Sequence, residues 1–98
     1  MTSPALFSAN PKTLQAAVTT TAAAITTNPG SASRANGGVS VKALAANTAI
    51  VYVGGSNVST ANGYPLAAGD AISLAVDDPS RVWAVAAAGA QNVAVIYL

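Results

Sequence analysis

Apolar residues alternate with small polar ones through most of this chain. "VSVKALA", residues 39–45, sets Val39, Val41 and Ala43 on one face and Ser40 and Lys42 on the other. "AISLAV" (71–76) repeats the pattern, with Ile72, Leu74 and Val76 facing in and Ser73 facing out. "RVWAVAA" (81–87) and "NVAVIYL" (92–98) read as two further strands, with Ala88, Gly89, Ala90 and Gln91 between them. "IVYV" (50–53) is apolar on both faces, the pattern of a strand covered on both sides, and Gly54-Gly55 stops it.

The first third of the chain is more ambiguous. In "TLQAAVTTTAAAITT" (13–27), Leu14, Val18, Ala22 and Ile25 fit a helical stripe, while Leu14, Ala16 and Val18 fit a strand. Its many β-branched threonines, and the turn signal Asn28-Pro29-Gly30 behind it, predict two short strands joined near Thr20. "NPGSASRANGG" (28–38) is a loop by composition. Residues 1–11 read as an N-terminal arm, in which Pro4 and Pro11 bracket the adjacent large apolar pair Leu6 and Phe7. Short strands with turn signals about every ten residues predict an all-β fold. The expected architecture is a β-sandwich or jelly-roll-like barrel of about seven short antiparallel strands, one domain over residues 12–98. The last strand runs to Leu98, so this end of the chain is expected to lie in the sheet.

Charge changes the picture most. Only 7% of residues are charged, against roughly 25% in an ordinary soluble domain. The net charge is +1, and Lys12, Arg34, Lys42 and Arg81 are scattered, so neither nucleic acid nor an anionic membrane has an electrostatic footprint here. No run of about 20 apolar residues occurs, and "MTSPALFSANPK" lacks the basic start and apolar core of a signal peptide.

Histidine, cysteine and glutamate are all absent. Acid–base chemistry would fall to Asp70, Asp77, Asp78, lysines and tyrosines, and no serine has an evident base, so an enzyme is not expected. Asp77-Asp78-Pro79-Ser80 is better read as a turn than as a cation site, because a calcium ion needs 6–8 oxygen ligands. "VYVGGSN" lacks the Lys-Ser/Thr pair of a phosphate loop; Gly54-Gly55 and Asn62-Gly63 are expected to supply positive φ for tight turns. Trp83 and Tyr97 fit core or rim positions. No cofactor and no metal is called for.

Strand edges are usually guarded by lysine, proline or charge, and these predicted strands hold only Lys42 and Arg81. The edges must then be closed on one another or covered by neighbouring chains, which predicts a permanently assembled protein. Residues 39–98 also resemble a family of small tailed-bacteriophage and prophage virion proteins. The resemblance is carried by Gly54, Gly55, Gly63, Tyr64, Pro65, Leu66 and Gly69, within "VYVGGSNVSTANGYPLAAGD". The chain departs from that pattern in lacking charges where many members have them, for instance in the loop before Val39.

The resemblance implies a structural protein that decorates or cements the outside of a phage head, made in the host cytoplasm and resident on the capsid surface. Its partners would be the major capsid protein or other virion subunits, and a second copy of itself, with a trimer ahead of a dimer. Leu6 and Phe7 are the candidate contacts with such a partner. Two alternatives stay open: a tail, baseplate or fibre-attachment subunit, and a glycan-binding module built on Tyr64, Asn57 and Asn62.

Overall fold

The computed structural model describes residues 12–26, 38–76 and 79–97. Among these residues the chain forms eight strands: β1 (Lys12–Val18), β2 (Ala23–Ala24), β3 (Val39–Ala43), β4 (Val51–Gly54), β5 (Tyr64–Leu66), β6 (Ala71–Leu74), β7 (Trp83–Ala86) and β8 (Gln91–Tyr97). They make two four-stranded sheets packed together, with orders β1-β8-β3-β6 and β2-β7-β4-β5. Every pairing is antiparallel. The all-β expectation holds, and the arm at 1–11, with Leu6 and Phe7, lies outside the described residues.

The pairing is nested. β1 pairs with β8, β2 with β7, β3 with β6 and β4 with β5, so the first half of the chain lies antiparallel to the second. Two further ladders, β3 with β8 and β4 with β7, join these hairpins into the sheets.

Side-chain alternation decides which face is buried. Val39, Val41 and Ala43 of β3 and Val93, Val95 and Tyr97 of β8 point inward from the first sheet. Val51 and Val53 of β4 meet them from the second, together with Leu66, Ala84 and Ala86. Ile72, Leu74 and Val76 pack against this core but stay half-buried at its rim. Valine suits the arrangement, since its branched side chain is stiff and fits the pleated surface, and alanines opposite it on β7 leave room.

Several details differ from the sequence reading. β5 is the extra strand, hidden by Pro65; proline cannot donate to a ladder, and β5 is an edge strand, where it is tolerated. Arg81 lies in a 3₁₀ turn, Pro79–Arg81, and Gln91 opens β8 instead of linking two strands. Positive φ among the described residues falls at Gly38, Gly69 and Gly89, and not at Gly54, Gly55 or Gly63. Gly63 is needed for another reason: a Cβ there would lie 2.5 Å from the Cβ of Tyr52 and 2.9 Å from the Ser59 carbonyl oxygen.

The two ends of the sandwich are unlike. At one pole the connections 19–22, 44–50, 67–70 and 87–90 are short and hydrogen-bonded. Asn47 acts there as a substitute strand: its Oδ1 accepts from Asn92 N (2.9 Å) and its Nδ2 donates to Asn92 O (2.8 Å). Buried Gln91 accepts from Thr48 N at 2.8 Å and donates to Ala88 O at 2.9 Å, so its burial leaves no orphaned amide. In the turn at 67–70, Asp70 Oδ2 accepts from Ala67 N, and Gly69 takes φ 88°. The opposite pole carries Lys12, Tyr97, the loop 55–63 and the strand ends that lead into 25–38 and 75–82.

Candidate functional site

The sandwich offers two outer faces, and the ladders fix their composition. On the first sheet, Thr13, Ile96, Ser40 and Ser73 form one row across four strands. Gln15, Ala94, Lys42 and Ala71 form the next. Ser40 and Ser73 share a 2.8 Å hydroxyl–hydroxyl hydrogen bond, which uses the polarity of that row internally. The small Ala94 and Ala71 leave an open concavity of about 640 Å³ over β1, β8, β3 and β6, flanked by Ile96, which is 47% exposed. Lys42 is the only charged residue in these two rows.

The outer face of the second sheet is apolar throughout. Its rows run Ala24, Trp83, Gly54 and then Val85, Tyr52, Pro65, with Ile50 and Ala87 beyond them. The loop 55–63 folds over part of it. Val58 reaches to within 3.0 Å of where a Gly54 Cβ would stand, and Gly63 crosses Tyr52. Val58 is therefore buried without belonging to the main core, and Val85 on the same sheet is buried outside that core as well. The sequence expectation for "IVYV" is met in part: Val51 and Val53 face the core, Tyr52 is half-covered by the loop, and Ile50 stays exposed.

That loop builds itself from polar side chains. Asn62 Oδ1 accepts from Ser59 N at 2.7 Å, and Asn62 Nδ2 donates to Asn57 O at 3.1 Å. Ser59 Oγ accepts from Ala61 N at 3.2 Å. Tyr64 stands beside this loop, 56% exposed. Of the cluster read as a glycan candidate, both polar ends of the Asn62 amide are thus committed to the turn.

The charged groups stand on different elements. Lys42 projects from the first sheet, Asp70 braces a turn at one pole, and Arg81 lies in the 3₁₀ turn; Asp77, Asp78, Leu6 and Phe7 lie outside the described residues. Among the described residues, no group of three acidic, histidine or cysteine side chains could hold a metal, and no helix is long and apolar enough to cross a membrane. The outer-face rows are the feature that reading the sequence alone overlooked. Their signal was the off-phase residues of the same alternation, whose neighbours appear only once the ladders are known. Compared with protein-family models, with curated proteins and with solved structures, the chain matches none of them.

Proposed function

We propose that this chain is a structural virion subunit that decorates and stabilises the outside of a bacteriophage head, and that it performs no catalysis. The observation that carries the reading is the pair of outer faces. In the outer-face rows traced by the ladders, Lys42 is the only charged residue, and the rest are Ala, Ser, Thr, Gln, Asn and apolar groups. Such surfaces can be covered by a neighbour without desolvating charges, which in a buried contact costs more than it returns unless each charge is paired. An isolated soluble domain, by contrast, gains solubility from a charged surface.

The path of the chain supports the same reading. Nested pairing of eight strands in two sheets is the jelly-roll route, an architecture found among viral capsid domains and lectins. On this reading the sandwich is a jelly roll, and the resemblance of residues 39–98 to phage virion proteins supplies the particle. The glycan-binding alternative is weakened, because Asn62 is used up inside its own turn.

The test is electron microscopy of phage particles from cells expressing this gene, with and without the gene intact. Ordered extra density over the whole shell, lost in the deletion, is the expected result. Density confined to the tail would move the protein to the tail or fibre-attachment role. Particles unchanged by the deletion would overturn the virion reading.

A further inference from the structure

Among the described residues, β1 is the longest of the four sheet edges and carries few of the usual protections. Among the described residues it pairs on one side only, with β8, and it is seven residues long. The other edges are short or blocked: β2 has two residues, β5 has three with Pro65 at its centre, and β6 has four. β1 contains no proline, no glycine and a single charge, at its first residue, Lys12. An edge of this length and neutrality is a template for another strand.

We infer that β1 pairs antiparallel with β1 of a second copy about a two-fold axis at Gln15. Face matching and ladder length set the register. Centred on Gln15, the pairing sets Thr13 opposite Ala17, Leu14 opposite Ala16, Lys12 opposite Val18, and Gln15 opposite itself. Directly opposed residues of an antiparallel ladder share a face. Leu14 and Ala16 are half-buried on the inner side, while Thr13, Gln15 and Ala17 are exposed on the outer side, so the pairs from Thr13 to Ala17 match in face.

A centre lying between two residues would set inner positions against outer ones. Centres at Leu14 or Ala16 keep the faces but shorten the ladder. The single charge is also accommodated, because the two lysines fall at opposite ends of the seam and never face each other. The outcome is one continuous sheet of four strands from each copy, joined through an isologous contact. Its outer surface extends the rows of Thr13 and Gln15 across both copies, with Lys42 the charge in the second of them. The pairing goes beyond the virion reading and does not rest on it, since it forms in solution without a shell. It also sets a two-fold pair where the resemblance implies a trimer first.

The test uses the full chain at micromolar concentration in sedimentation or light-scattering measurements. The wild-type protein is expected to be a dimer. Gln15→Lys and Gln15→Glu, each at an exposed position, are expected to be monomers with unchanged far-ultraviolet circular dichroism, because each sets like charges opposite one another. An equimolar mixture of the two variants is expected to restore a dimer that weakens with salt. A wild-type trimer would overturn the two-fold pairing, and so would a monomer, including one in which another segment such as residues 1–11 protects the β1 amides from hydrogen exchange. Dimeric single variants, or a mixture that stays monomeric, would overturn the Gln15 register.

Discussion

Leu66 and Leu74 are both leucines on edge strands facing the same core, yet the structure treats them differently. Leu66 is 1% exposed, and Leu74 is only half-buried at the rim. Leu66→Ala is expected to cost about 2–5 kcal/mol in urea unfolding, through lost burial and the cavity left behind. Leu74→Ala should cost about half as much, since less area leaves water and the site can relax toward solvent. Equal losses at the two positions would show that the rim is as tightly packed as the centre. Gln91 makes a different case. Its amide satisfies the Thr48 N–H and the Ala88 carbonyl in a buried setting, so Gln91→Ala should destabilise by about 1–3 kcal/mol through the groups it abandons. If the loss is negligible, water must reach that pole and replace the amide.

Strands and loops were legible in the sequence to different degrees. β3 and β8 could be read almost residue by residue, because strict alternation is what a half-buried antiparallel strand imposes. The β1–β2 break near Thr20 was also legible, from threonine content and the turn behind it. β5 was not, because Pro65 argues against a strand unless the edge position is already known. The loop 55–63 was readable as a turn-rich link, but its place over Tyr52 was not, since nothing local in "GGSNVSTANG" says which side of β4 it covers. That placement turns Gly63 from a flexible residue into a close-contact residue. Gly63→Ala should lower stability by about 1–3 kcal/mol by overpacking against Tyr52. Gly55→Ala, with only the Asn57 side chain at 3.8 Å and no positive φ, should change it by no more than about 0.5 kcal/mol. Thermal unfolding of the two variants side by side decides whether the loop is clamped or merely tethered.

For the molecule as a whole, the division between poles matters more than any single contact. At one pole side chains tie neighbouring connections to one another, while the other holds the self-braced loop 55–63 and the entry to residues 1–11. Residue 12 stands at the second pole, at the end of the β1–β8 ladder, so the segment before it can be removed without cutting a strand. Deleting residues 2–10, and with them Leu6 and Phe7, should therefore leave the thermal midpoint nearly unchanged while weakening attachment to phage shells in a co-sedimentation assay. Undiminished attachment would remove the arm from the interface. A large fall in midpoint would place it in the domain's own packing.

Nesting also sets how the domain responds to mechanical load. Lys12 and Tyr97 are direct partners at the same end of the β1–β8 ladder. The hydrogen bonds of that ladder lie across the strands. A tension applied between these two residues peels the bonds apart one after another, like a zipper. The same tension applied between residue 12 and residue 91, at opposite ends of the two strands, loads all of them in parallel as shear. In a force-spectroscopy experiment with handles at those two pairs of sites, the first geometry should open at much the lower force. A domain built this way resists a load along the β1–β8 ladder far better than one that draws Lys12 and Tyr97 apart.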